Sequence, residues 1–317
     1  MQHFTSVHDI QHINHWVEQA LKIKATPYQW NDLGKHKTIG LIFLNPSLRT
    51  RLSTQKAALN LGMNVMVMNM DKEGWALEFG DGAIMNGTTV EHIKDAAAAM
   101  GQYCDIIGIR CFPSLTNKAE DDNETLLNKF IEYAKVPVVS LESATRHPLQ
   151  SFADIITIQE NWKQTHKPKV VLTWAPHIKA LPQAVPNSFS EWMCKADVDF
   201  VIAHPEGLEL NTQFTNGATI AYNQQEALEG ADFVYVKNWS SYHDYGKPYL
   251  NGADWLLNEQ RLMISNNAKI MHCLPVRRNV ELIDALLDGP NSLVQQQANN
   301  RVYAAQTVLK NILESHG

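Results

Sequence analysis

The chain has 317 residues, 44% hydrophobic and 19% charged, enough to bury a substantial core and to form about two domains of roughly 150 residues each. Net charge is −6, from 27 Lys and Arg against 33 Asp and Glu, so there is no global positive field to hold a nucleic acid or an anionic membrane. Any anionic ligand has to be met locally.

Short runs rich in Val and Ile alternate with longer amphipathic stretches, the pattern of a mostly parallel sheet covered by helices. Strands are predicted at 38–44, 64–70, 105–110 and 136–141, then at 169–174, 199–203, 232–236 and 269–273. Two sets of four imply two α/β domains, with a helix over 148–159 joining them and a final amphipathic helix over 300–313. The polar, glycine-dotted stretch 71–87 reads as a loop. The segment 175–188 carries three prolines and is long for a strand-to-helix connection, which points to a role beyond connection.

The four cysteines, Cys104, Cys111, Cys194 and Cys273, have no CxxC spacing, which fits a reducing compartment and supports neither a disulfide framework nor a zinc site. Met1-Gln2-His3-Phe4 opens no basic-then-apolar leader, and no apolar run approaches the roughly 18 residues that span a bilayer. A cytoplasmic, soluble protein is the expectation.

Arginine is unevenly placed. There are eight, against nineteen lysines, and seven fall in short polar segments: Arg49 and Arg51, Arg110, Arg146, Arg277 and Arg278, and Arg301. The planar guanidinium fork suits phosphate and carboxylate, although surface salt bridges would account for such clusters equally well. Open parallel sheets bind ligands at the carboxyl ends of their strands. Those ends carry Ser47 and Arg49, Arg110, Glu142, His177, His204, Lys237 and His272-Cys273.

Three segments stand out. After the first strand comes Asn45-Pro46-Ser47-Leu48-Arg49-Thr50-Arg51. Asn45 suits an N-cap and Pro46 the first helical position, and free amides at such a helix start favour an anion. Ser47 and Thr50 hydroxyls with the Arg49 fork would complete a phosphate cradle; a capped helix with solvated arginines is the alternative. The second segment, Arg146-His147-Pro148-Leu149-Gln150, places a histidine before a helix-starting proline and a glutamine one turn on. The third, His272-Cys273-Leu274-Pro275-Val276-Arg277-Arg278, ends an apolar strand. A dinucleotide or nucleotide-triphosphate enzyme is disfavoured, because the chain has no GxGxxG after its first strand and no GxxxxGK[ST] loop.

In this order and spacing, Ser47-Leu48-Arg49-Thr50-Arg51, His147-Pro148-Leu149-Gln150 and His272-Cys273-Leu274-Pro275 resemble the carbamoyl-phosphate motifs of the aspartate and ornithine carbamoyltransferases. The resemblance covers nearly the whole chain. It implies two doubly wound parallel-sheet domains, 1–147 for carbamoyl phosphate and 148–299 for the amine substrate, with a C-terminal helix, 300–317, packing back on the first. It also implies a homotrimer with active sites shared between neighbours. Ser47, Leu48, Arg49 and Thr50 match the phosphate-binding positions, with Trp75 reaching in from the adjacent subunit. Arg110, His147 and Gln150, with Pro148 and Leu149 of the same motif, match those that hold the carbamoyl group, and Cys273, Leu274 and Arg301 complete that ligand's site.

The sequence departs from ordinary ornithine enzymes. Where those carry an Asp and a Ser-Met-Gly, this chain reads Val236-Lys237-Asn238-Trp239-Ser240-Ser241-Tyr242. A lysine facing a charged α-ammonium would repel it by several kcal/mol at low effective dielectric. This resembles the acylornithine branch, in which the α-amine is an amide and the second domain carries a trefoil knot. Acetyl-specific relatives have a Glu at the position matching Val90 and can carry a modifiable lysine matching Glu281; a carboxylate at 90 would oppose a succinyl carboxylate. The resemblance therefore implies N-succinylornithine as acceptor, with N-acetylornithine as the alternative and ornithine or a non-catalytic carbamoyl-phosphate binder further behind. Lys237 and Arg277 match candidates for the succinyl carboxylate, with Glu142 and His177 holding the ornithine part. Arg110, His147 and Thr50 would stabilise the oxyanion and Cys273 would help position the amine. No metal or organic cofactor is implied.

Overall fold

The computed structural model describes residues 1–70 and 72–316. They form two compact units, residues 1–149 with 301 onward, and residues 150–300.

The first unit is built on four strands, β1 (Thr38–Phe43), β2 (Asn64–Asn69), β3 (Ile106–Arg110) and β4 (Val138–Glu142). They pair in parallel in the order β2-β1-β3-β4. β3 and β4 are buried along their whole length and β1 beyond its first residue, as the continuous apolar runs require. β2 lies at the edge and alternates, leaving Met66 and Met68 exposed. Around this sheet run α1 (Ile13–Ala25), α2 (Arg49–Asn60), α3 (Ile93–Tyr103) and α4 (Thr125–Ala134). The chain lays β2 on one side of β1 and then crosses to place β3 on the other, so the crevice of this sheet opens between the ends of β1 and β3.

The second unit contains β5 (Lys169–Trp174), β6 (Asp199–Ala203), β7 (Thr219–Ala221), β8 (Phe233–Lys237) and β9 (Lys269–Met271), all parallel, in the order β9-β8-β5-β6-β7. Its crossover lies between β5 and β8. Two helices contain the division between the units, α5 (Pro148–Asn161) and α7 (Val294–His316), and α6 (Ala184–Lys195) follows β5. Phe152 stacked on Trp192, centroids 5.3 Å apart, and Phe189 tilted against Tyr235 at 4.3 Å fill the core of this unit.

Several expectations change. Asn45 is not the N-cap and Pro46 is not helical: α2 begins at Arg49, and Asn45 Oδ1 instead accepts the Phe112 N–H at 2.7 Å. The loop after β5 is shorter than predicted, because 184–188 is the start of α6; Pro186 sits in its first turn, where no N–H is needed. β9 stops at Met271, two residues early, because the His272 N–H is taken by Gln297 Oε1 and the Leu274 N–H by His272 Nδ1. Side-chain acceptors end the ladder there. The predicted set of four strands missed β7, three largely exposed edge residues without an apolar run. The final helix is longer at both ends than 300–313. In the stretch 71–87, Asp71 lies outside the described residues, and Leu77–Glu78 pairs with Glu91–His92.

Gly62 follows α2 at φ +78, and an added Cβ would lie 1.9 Å from the Asn31 carbonyl oxygen. Gly62→Ala is expected to destabilise the protein by about 2 kcal/mol or more, read as a lowered thermal midpoint by circular dichroism. An unchanged midpoint would contradict this packing.

Candidate active site

At the β1–β3 crevice the first turn of α2 is fastened by Ser47, whose Oγ accepts the Thr50 N–H at 3.3 Å. Thr50 is the meeting point of two guanidiniums: Arg301 Nη2 donates to its Oγ1 at 2.5 Å, and Arg110 Nη1 lies 3.5 Å away. Arg110 ends β3, also donates to Glu142 at the end of β4, and stacks 4.3 Å over the Phe112 ring. Arg110, Arg301, Glu142, Thr50 and His147 are all more than nine-tenths buried, while Arg49 is half-buried and Leu48 exposed. Pro148 and Leu149 open α5 as buried packing residues.

His147 lies 3.4 Å from Glu142 through Nε2. Burial, reinforced by the charges of Arg301, Arg110 and Arg49, pushes its pKa well below the ordinary histidine value. The ring is therefore neutral, with one donor and one acceptor nitrogen. Two buried polar atoms here, Arg110 Nε and His147 Nδ1, have no hydrogen-bond partner among the described residues, and such groups cost free energy unless a ligand meets them.

The loop leading to His147 is held by a residue that sequence reasoning missed. Glu124 sits at φ +51, and its carboxylate accepts from the Ser143 and Thr145 hydroxyls and from the N–H groups of Ala144 and Thr145. No motif marks it; it lies about twenty positions away from the loop it serves.

Trp75 and Val90 come together elsewhere on the first unit. The Val90 N–H donates to the Ala76 carbonyl at 2.9 Å and Trp75 Nε1 to Glu91 at 2.7 Å. Both side chains are more than half exposed, which fits a tryptophan placed in a loop rather than a core.

In the second unit Lys237 ends β8 at the crossover, buried, with Nζ 3.5 Å from Glu281. Glu281 also lies 3.2 Å from His272 Nε2 and accepts the N–H groups of Asn238 and Arg277. Its burial acts to raise its pKa, but the Lys237 charge and the bonds from His272 and Arg277 outweigh that and hold the carboxyl well below the usual range. Because His272 Nδ1 accepts from Leu274, its proton resides on Nε2, facing Glu281. Glu281, noted from sequence only as a departure, thus fastens both the Lys237 segment and the turn that carries Cys273.

That turn has Leu274 at φ +53, followed by a cis peptide to Pro275. Cys273 is buried beside the Tyr235 hydroxyl, whose pKa burial pushes up, with Asp154 and Cys273 as its neighbours. Gln150 donates to Asp154 at 2.7 Å. The i, i+4 spacing of these two on α5 was legible, although the sequence reading did not use it. His177 is half-buried and accepts the Lys179 N–H at 3.0 Å, whereas Arg277 is exposed. Among the sequence candidates, Ser47, Leu48, Arg49, Thr50, Arg110, Glu142, His147, Pro148, Leu149 and Arg301 therefore belong to the first unit. Gln150, His177, Lys237, Cys273, Leu274 and Arg277 belong to the second. Glu142, expected beside the amine substrate, here pairs with Arg110.

Residues 2–160 match the family profile described as the carbamoyl-P binding domain of aspartate/ornithine carbamoyltransferase, and residues 182–312 match its Asp/Orn binding domain. The chain is 51% identical over 316 residues to an N-succinylornithine carbamoyltransferase of Bacteroides thetaiotaomicron, covering 99% of each. To an N-acetylornithine carbamoyltransferase of Xanthomonas axonopodis pv. citri it is 32% identical, covering 94% of this chain and 93% of the relative. The fold superposes on an acetylornithine transcarbamylase complexed with acetylcitrulline at a TM-score of 0.93 and 30% identity, covering 98% and 99%. It also matches an N-acetyl-L-ornithine transcarbamylase with one glutamate replaced by valine, complexed with carbamyl phosphate and N-succinyl-L-norvaline, at 0.91 and 29%, covering 98% and 100%. Both halves thus agree in order, in fold and across full-length relatives: the chain belongs to the aspartate/ornithine carbamoyltransferase family.

Proposed function

We propose that the protein transfers the carbamoyl group of carbamoyl phosphate to the δ-amine of N-succinyl-L-ornithine, giving N-succinyl-L-citrulline and phosphate, as a step of arginine biosynthesis in the cytoplasm. The observation that carries this is the buried group around Thr50, in which Arg110 and Arg301 converge beside a neutral His147 and two polar atoms await a partner. A small anion with a polarised carbonyl satisfies all of it.

In this reading Ser47, Leu48, Arg49 and Thr50 hold the phosphate, with Trp75 from a neighbouring subunit. Arg110, His147 and Thr50 meet the carbonyl oxygen as it becomes an oxyanion. Gln150, Leu274 and Arg301 complete the carbamoyl phosphate site. A free alkyl amine has a pKa of about 10.4 and is neutral in only about one molecule in a few thousand at pH 7, so cations and a dry site have to favour the neutral nucleophile. Cys273 positions it, and the departing phosphate accepts its proton, so no dedicated base is required.

Lys237 and Arg277 would meet the succinyl carboxylate, with His177 on the ornithine part and Glu142 turning to it from Arg110. Val90 supports succinyl over acetyl: it stands where the resemblance places a glutamate in acetyl-specific relatives, and an acetyl enzyme with a glutamate-to-valine change is found with a succinyl ligand. A homotrimer with Trp75 and Val90 serving the neighbour's site is supported by exposed Leu48, Leu52, Leu59, Met66 and Met68 on the first unit. A trefoil knot in the second unit is supported by the bonds that tie 175–183 to 238–240: Asn238 to the Ala175 carbonyl, Gln183 to the Ser240 carbonyl and the Ser240 N–H to the Leu181 carbonyl.

Ureido-product formation from carbamoyl phosphate with ornithine, N-acetylornithine or N-succinylornithine in parallel is expected to favour the succinyl compound; equal turnover of free ornithine would overturn the Lys237 argument. Arg110→Ala is expected to lower turnover by at least about a hundredfold in a folded protein, and activity within tenfold of the parent would refute its role. Val90→Glu is expected to shift preference from succinyl to acetyl, and an unchanged ratio of kcat/KM values would exclude that position from selectivity.

A further inference from the structure

In the second unit the amide of Gln150 is oriented by a chain of bonds that starts at a backbone group with no choice of role. The His272 N–H can only donate, and it donates to Gln297 Oε1 at 2.9 Å. That turns Gln297 Nε2 the other way, where it donates to Asp154 Oδ1 at 2.7 Å. The same oxygen accepts Gln150 Nε2, also at 2.7 Å. Gln150, Asp154 and Gln297 are each buried to within about a percent of completely, so turning one amide over would set like groups against each other without water to relieve them.

We propose that Asp154 is a positioning residue that fixes the Gln150 amide with its nitrogen inward, so that the carbonyl Oε1 is the edge offered to the carbamoyl NH2. This rests on the assignment of Gln150 to carbamoyl phosphate made above. A carbonyl oxygen accepts from the NH2 of carbamoyl phosphate but gains nothing from the methyl of acetyl phosphate, which has nearly the same shape and the same phosphate. An amide turned the other way would set a donor against the donor NH2 and lose the preference for carbamoyl phosphate. Asp154 also reaches the third motif, since the Tyr235 hydroxyl lies beside both Asp154 and Cys273. One carboxylate thus ties the glutamine of the second motif to the cysteine turn of the third.

The test measures the preference for carbamoyl phosphate over acetyl phosphate, as the ratio of the acetyl phosphate inhibition constant to the carbamoyl phosphate KM. It uses the full-length parent, Gln150→Ala, Asp154→Ala and Asp154→Asn. Asp154→Ala is expected to lose about tenfold of that preference, approaching Gln150→Ala. Asp154→Asn is expected to stay within about threefold of the parent, because Gln297 cannot turn over and so forces the asparagine oxygen into the Oδ1 position. An anchoring role alone would weaken both phosphates together and leave the ratio unchanged in Asp154→Ala, which overturns the proposal. Should Asp154→Ala fail to fold, the asparagine variant decides: a parental ratio supports the proposal, and a ratio collapsed to the Gln150→Ala level overturns it. A parent that does not turn over carbamoyl phosphate defeats the proposed function instead, and a Gln150→Ala ratio equal to the parent's defeats the assignment of Gln150.

Discussion

Two guanidiniums bonded toward one buried threonine hydroxyl are the constraint around which the first unit is organised. Like charges at such separation repel by about 3 kcal/mol at an effective dielectric near 20, and burial adds a desolvation cost. The structure offsets this with one carboxylate, Glu142, and with the quadrupole of Phe112 beneath Arg110. It also keeps His147 neutral, since a third cation in the group would deepen the repulsion. Half-buried Arg49 adds positive charge at the start of α2, so a phosphate dianion suits the region.

The same topological rule locates the chemistry in both units. In each sheet the first strand is flanked by strands the chain reaches in opposite directions, and the crevice at that reversal is where side chains can converge without a strand in the way. β1 and β3 deliver Arg49 and Arg110; β5 and β8 deliver His177 and Lys237. The second crevice solves its charge problem differently. Glu281 neutralises Lys237 and accepts two backbone N–H groups besides, so the lysine is held by a carboxylate that also fastens the turn bearing Cys273.

Strand positions were legible because buried parallel strands are continuous apolar runs, and β5 and β6 match their predicted ranges to the residue. β7 was not, because three exposed edge residues carry no burial pattern to read. Ser47, Arg49 and Arg110 were legible as polar residues at strand ends, since that is where open sheets place function, and Thr50 and His147 as members of the polar segments that follow them. Glu124, Gln297 and Asp154 were not singled out, because each acts through bonds to residues 19 to 143 positions away or through a buried partner that the sequence leaves unspecified. Asn45 was misread for a related reason: its side chain had two uses, a cap or a tie to the loop after β3, and only the folded chain brings Phe112 within reach.

Recognition in such a protein divides by chemistry. Phosphate is met by charge, and charge tolerates error in position because it acts over several ångströms. The difference between an NH2 and a methyl cannot be met that way, since the two groups carry the same net charge and nearly the same volume. It demands one acceptor atom in one orientation, and a glutamine supplies that only when its amide cannot turn over. A backbone N–H is a donor whose role is fixed by covalent structure, so an orientation that starts at His272 and passes through Gln297 and Asp154 is more reliable than one resting on amide side chains alone. The arginines can be read from composition, whereas the orientation of a single amide is a property of the folded core.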